Sequence, residues 1–320
     1  MILARAVAVS FLSLLLAANV SAQDYPNKPI RFIIPYPPAG GTDIVARILS
    51  EPLAAVLGQP ILIDNRGGAA GNLGTDIAAK SSPDGYTILF TLSSHTINPK
   101  LYDKLPFDVE RDFAPVSLAA LVPQILVAHP SVPANGVPDL IALAKARPGK
   151  LNYASVGTGS PAHIAGELLK LKTGIDMVHV PYKGGGPAIA DTLGGQVQLA
   201  FVSLPAALQY VRAGRLKALA VTSDKRSIAA PEIPTIVESG IDCVVNSWYG
   251  ALAPAKTPPA IVAKLQAAFA KVLAMSEVKE KLFAQGAEAQ SSTSAEFAAR
   301  IHDELKEWEY VIREAKIKAE

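Results

Sequence analysis

The sequence predicts an α/β fold in two domains, each a mostly parallel sheet flanked by helices. Three observations carry that expectation. Short apolar, β-branched runs alternate with segments of helical period, which is the pattern of βα units. That alternation pauses at a long apolar stretch, residues 113–130, and starts again at residue 151. The 320 residues are also enough for two hydrophobic cores.

The first unit sets the pattern. Ile30–Ile34 reads as a buried strand. Pro35, Pro37 and Pro38 stop it, because each lacks an N–H for the ladder. Gly40 and Gly41 allow close backbone approach, Thr42 is a suitable N-cap, and Ile44, Val45, Ile48 and Leu49 follow at helical spacing. A helix start with only glycine in front of it presents open N–H groups and a positive dipole end, and so can receive an anion. The same residues also fit an ordinary βα turn. Pro52 is expected to kink or end this helix.

A second strand, 61–63, leads into the glycine-rich run 67–74, which lacks both the Gly-Lys-Ser/Thr ending of a phosphate loop and a dinucleotide fingerprint. A short helix follows around 75–80. Ser82, Pro83, Asp84 and Gly85 form a turn. The third strand, 86–91, ends at Ser93, Ser94 and His95. Parallel sheets bind ligands beyond the carboxyl ends of their strands. Both Gly40-Gly41-Thr42 and Ser93-Ser94-His95 fall at such ends.

Residues 116–121 and 124–128 read as strands in an extended segment able to carry the chain from one domain to the other. After a helix over 138–146, strand 151–156 meets Gly157, Thr158 and Gly159. Ser160 then caps a helix opened by Pro161, with His163 in its first turn. This repeats the opening unit. Strand 178–182 ends at Lys183 and three glycines, which is a further strand-end loop with a cation. Strands over 198–203, 216–222 (the expected return crossing) and 245–252 follow. Helices beginning at Pro258, Ser276 and the capping box Thr293–Glu296 finish the chain. Their apolar stripes are core packing. The expected division is 1–22 leader, 23–122 plus 224–320 domain I, and 123–223 domain II.

The leader expectation rests on Arg5, an apolar run over 6–18 too short for a comfortable span, and Val20-Ser21-Ala22 before Gln23. The chain carries a net charge of +2, and losing Arg5 with the leader leaves +1. No electrostatic footprint for nucleic acid results. The single cysteine, Cys243, excludes an intrachain disulfide and reads as a buried small hydrophobe. The five histidines show no metal-ligand spacing, and His129, His179 and His302 read as structural. No Gly-x-Ser-x-Gly elbow is present. No cofactor, metal or catalytic residue is therefore assigned.

Several motifs together resemble a family. Residues 35–43 (Pro-Tyr-Pro-Pro-Ala-Gly-Gly-Thr-Asp) are similar to the opening signature of the Bug-type substrate-binding proteins of tripartite tricarboxylate transporters. So are 83–87, 153–157, 179–186, Pro234-Thr235 with Glu238 and Gly240, Trp248-Tyr249-Gly250 and Pro254, in the right order along nearly the whole mature chain. The resemblance implies a two-domain periplasmic binding fold of the type II Venus-flytrap kind, acting as a monomer. It implies a small organic carboxylate held in the cleft by backbone and hydroxyl groups, and delivery to membrane permease subunits. Carried residue by residue, the site comprises Tyr36, Pro38, Ala39, Gly40, Gly41, Thr42, Ser93, Ser94 and His95 from one side. From the other side come Gly157, Thr158, Gly159, Ser160, His163 and Lys183. Asp43 is expected to cap its helix rather than meet a cationic ligand group. His163 reads equally as cleft lining or helix packing, and Lys183 leans to the rim. A periplasmic sensor shares the same fold and cleft. An exported hydrolase is the remaining alternative.

Overall fold

Strand β1 (Ile30–Ile34) is buried on both faces. Alternation sends Ile30, Phe32 and Ile34 into one apolar cluster and Ile33 into another. Phe32 stacks on Phe90 and Phe269 with centroids 6.1 and 6.2 Å apart. Burying each such ring contributes about 1.5–3 kcal/mol. The computed structural model describes residues 25–314 and 317–318, so the expected leader, 1–22, lies outside the described residues.

From β1 the chain runs through α1 (Gly41–Leu57), β2 (Ile61–Asn65), α2 (Asn72–Ala79), β3 (Thr87–Leu92) and α3 (Ser94–Leu101) into β4 (Phe113–Ala128). Then come α4 (Val137–Ala146), β5 (Asn152–Ser155), α5 (Pro161–Thr173), β6 (Val178–Pro181), α6 (Gly185–Leu193), β7 (Leu199–Ser203), α7 (Leu204–Arg212) and β8 (Lys217–Val221). The chain closes with β9 (Asn246–Pro254), α8 (Pro259–Ala274), α9 (Ser276–Ala284), β10 (Glu288–Ala289) and α10 (Ser294–Glu314). The strands follow the order β2-β1-β3-β9-β4-β7-β5-β6, with β8 and β10 each paired to β4.

Strands β2, β1 and β3 are parallel, as are β6, β5 and β7. Strands β9 and β4 run antiparallel to their partners, so each half is mixed rather than mostly parallel. The reason is that both of these strands carry the chain between the halves. Strand β4 is one 16-residue strand: up to Pro123 it pairs with β9, and from Gln124 with β7 and β8. The return crossing comes later than residues 216–222. Strand β8 stays with the second half, and Ala230, Ile233, Ile236, Cys243 and Val245 pack into the same core. The chain crosses back between Val245 and Asn246. Thr222 ties the two crossings, its hydroxyl accepting from Gln124 N–H (3.1 Å) and donating to Val245 O (2.7 Å).

Pro52 does not break α1. Leu49, Leu53 and Leu57 continue the buried stripe past it, and the proline removes only one intrahelical hydrogen bond. The helix ends at Gly58, which takes a left-handed φ of 74° and bonds back to Ala54 O. Helix α10 spans both halves: Phe297, Ile301 and Leu305 lie in one core, Trp308 and Ile312 in the other. Cys243 is buried and its thiol is pushed up to about 12 by burial.

Candidate functional site

A small cavity lies between the halves, lined by Tyr36, Gly40, Gly41, Thr42, Leu92, Gln124, Val156, Pro161, Gly185, Ser203, Ser247 and Tyr249. Its volume is about 20 Å³, room for about one water-sized sphere. The halves are closed over it. A Cβ built on Gly40 lies 3.7 Å from Gly185 N, and one on Gly41 would lie 2.2 Å from Ser203 Oγ.

Helix starts from both halves meet here. Gly41 and Thr42 open α1, Pro161 opens α5, Gly185 opens α6, and Ser203 precedes α7. The N-caps of α1, α6 and α7 make no side-chain cap bond, so their first N–H groups stay open. Each helix end carries the equivalent of about half a positive charge. The lining has no lysine, arginine, histidine or carboxylate. Its titratable groups are two phenols. Burial pushes Tyr36 up to about 12 and Tyr249 up as well, and their hydroxyls face Ser94 and Thr91, and Ser203 and Thr42, respectively. The site is thus a neutral, hydroxyl-lined pocket with positive helix ends, suited to an anion.

The N-cap of α1 is Gly40, so Thr42, expected as the cap, lies inside the first turn, and Asp43 does not cap the helix N–H groups but ties down the loop before it. The Asp43 carboxylate accepts from Ala39 N–H (3.0 Å), Arg47 Nε (2.9 Å) and Asn65 Nδ2 (3.0 Å). It is only 3% exposed and is fully engaged away from the cavity.

Of the residues expected from sequence, Tyr36, Gly40, Gly41 and Thr42 line the cavity. Pro38 and Ala39 are exposed and stand at the rim opposite Gly186. Ser93 backs the wall, its Oγ 2.8 Å from Ser247 Oγ, and Ser94 lies beside Tyr36. Gly157, Thr158 and Gly159 close the mouth against Ala70, Tyr102 and Asn98, with Tyr102 Oη donating to Thr158 O at 3.3 Å. Ser160 caps α5 by accepting from His163 N (3.2 Å). His163 is not in the lining. Its Nδ1 accepts from Gly159 N (3.2 Å) and its ring stacks on His179 at 4.1 Å. His95 points into the core against the edge of Phe113, because α3 begins at Ser94 and turns it inward. Lys183 is exposed and outside the cavity.

Leu92, Gln124, Val156, Pro161, Gly185, Ser203, Ser247 and Tyr249 complete the lining. Ser203, at a strand-to-helix junction like Thr42, carried a usable signal. Gln124 and Ser247 sit within apolar strands and carried none. A larger recess of about 300 Å³ opens where loop 223–229 meets Phe283 and Glu288. None of its lining residues opens a helix, its Arg226 is bound to Glu238, and its Arg300 to Glu304.

Fold and site together define a two-domain α/β protein with a hydroxyl-lined cavity between its halves, on which helix N-termini converge. The tripartite tricarboxylate transporter family receptor matches residues 45–317, and the chain belongs to that family. BugT of Bordetella pertussis is 41% identical over 308 residues, covering 95% of this chain and 94% of that protein. Among solved structures, the periplasmic binding protein BugD is 32% identical with a TM-score of 0.89, covering 92% of this chain and 100% of that one. Rpa4515 of R. palustris, solved with adipate, is 34% identical with a TM-score of 0.90, covering 93% and 100%. The fold is therefore that of the periplasmic binding proteins. Among the described residues no helix is long and apolar enough to cross a membrane.

Proposed function

We propose that the chain is a periplasmic solute-binding protein that captures a small organic carboxylate between its domains and hands it to the permease subunits of a tripartite tricarboxylate-type transporter. The observation that carries this reading is the convergence of four helix N-termini, contributed by both halves, on one neutral cavity. An anion seated there bridges the halves and favours the closed state by its differential affinity. The adipate in Rpa4515 supports the carboxylate class. A binding role rather than a catalytic one agrees with the two protonated phenols as the lining's titratable groups.

Residues 23–122 with 246–320 form one domain and 123–245 the other in this proposal. The boundary moves from 223/224 because residues 230–245 share the second core. Export to the periplasm follows cleavage after Ala22, and the protein acts as a monomer. A thermal-shift screen of the mature chain tests the function, using mono-, di- and tricarboxylates with their amides. A ligand at 100 times its Kd stabilises by about 2.7 kcal/mol. A carboxylate hit that disappears with the amide is the expected result. No shift with any carboxylate would refute the reading.

A further inference from the structure

The helix ends account for a carboxylate but not for what the ligand carries on its carbon body. Gln124 lines the same cavity and is 3% exposed. It stands where β4 leaves one sheet partner for the next: Pro123 pairs with Asn246 of β9, and Gln124 with Ser203 of β7. Directly opposed residues of an antiparallel pair share a face. Ser203 faces the cavity, since its Oγ would lie 2.2 Å from a Cβ on Gly41. The Gln124 side chain is therefore on the cavity face too. Its backbone is engaged with Thr222, donating to Oγ1 at 3.1 Å and accepting from N at 2.9 Å. Its carboxamide makes no hydrogen bond among the described residues. The amide opens onto the cavity, so a ligand seated there meets it as an unoccupied donor and acceptor.

We propose that Gln124 is the specificity-determining residue of the cleft. It selects carboxylates whose body bears a second polar group, a hydroxyl or a second carboxylate, over those with a plain alkyl tail. The amide N–H donates to that group, or the amide oxygen accepts from a hydroxyl. Ser247 and Ser203 extend the same polar floor. This proposal rests on the carboxylate reading of the cleft.

The test is calorimetric titration of the mature protein and of Gln124→Met, with ligand pairs differing in one polar group: succinate and butyrate, 3-hydroxybutyrate and butyrate, adipate and hexanoate. Methionine keeps the length of the side chain and removes the amide. The wild type is expected to prefer the polar member of at least one pair by about tenfold, the factor that 1.4 kcal/mol carries. In Gln124→Met that ratio falls to near one, through weaker binding of the polar member. Gln124→Asn, which keeps an amide, retains part of the preference. Thermal melting of unliganded Gln124→Met at or above the wild-type midpoint shows an intact fold. A ratio unchanged in Gln124→Met, an equal loss for both members, or a wild type that favours the alkyl member overturns the proposal while leaving the carboxylate cleft standing. Failure of the wild type to bind any member of any pair overturns both.

Discussion

Gly41 occupies a point where a side chain has no room. A Cβ there would lie 2.2 Å from Ser203 Oγ and 2.4 Å from Tyr249 Oη, both on the cavity wall. Gly41→Ala must displace Tyr249 or hold the halves apart. Overpacking of this kind costs about 1–3 kcal/mol, so the midpoint should fall by roughly 2–12 °C. Ligand affinity should fall far more, by about 100-fold. Gly40→Ala is the control: its φ is −80° and its Cβ would meet nothing closer than 3.7 Å. Titration of the two variants decides, and equal affinities would show that contact at Gly41 is not needed for binding.

The buried imidazoles give a pH prediction. Burial holds His95 and His163 at about 4 and His179 at about 3. Each lies below the unfolded value of about 6.5, so the stability they confer is present above pH 6.5 and is lost as pH falls from there toward 4. Melting midpoints should drop across that window. His95→Phe, whose ring fits edge-on to Phe113, should flatten the drop. An unchanged slope would remove His95 from the account.

At the scale of elements, the helix-starting loops were legible because their signals are local: glycine, a small cap, then a 3.6-residue stripe. Strand β4 was legible only in pieces. Pro115 and Pro123 break the sequence pattern, yet the strand continues through both. The register with β9 shifts just after Pro115, and Pro123 sits where β4 changes partners, so neither proline breaks a regular ladder. Part of the cavity wall was illegible for a related reason. Gln124, Ser247 and Tyr249 come from strands that are distant in sequence and meet only through sheet pairing.

Helix α10 shows the same long-range logic. Buried Glu304 accepts from Trp248 Nε1 (2.8 Å), Thr96 Oγ1 (2.8 Å) and Arg300 Nε (2.9 Å), and Trp308 Nε1 donates to Thr96 Oγ1 (3.2 Å). These bonds fasten α10 to α3, whose N-cap is Ser93, and to β9, which carries Ser247; the two serines meet at the cleft wall. Glu304→Ala strands a buried indole N–H and a hydroxyl. It should cost about 2–4 kcal/mol in urea unfolding. A loss below about 0.5 kcal/mol, the size of an ordinary surface change, would show that the network is not needed to hold the helix.

At the scale of the whole molecule, the closed halves leave about 20 Å³, which admits a water but no organic acid. The mouth is sealed by close backbone approach. Gly159, at φ 83°, sits where a Cβ would lie 2.4 Å from Asn98 Oδ1, and Gly157 faces Ala70. An organic acid reaches the helix ends only if the halves separate, and the bending is expected at the two crossings that Thr222 ties, Pro123–Gln124 and Val245–Asn246. Helix α10 touches both cores and must slide or flex as they part. The unliganded protein in solution should therefore populate states more open than this one. A saturating ligand should reduce the radius of gyration measured by X-ray scattering while raising the melting midpoint. Thr222→Val, which removes the hydroxyl between the crossings, should widen the unliganded distribution and weaken binding without changing the liganded radius. Scattering curves that superimpose with and without a ligand verified by calorimetry would mean that the cavity expands by local side-chain movement, and that hinge closure is no part of capture.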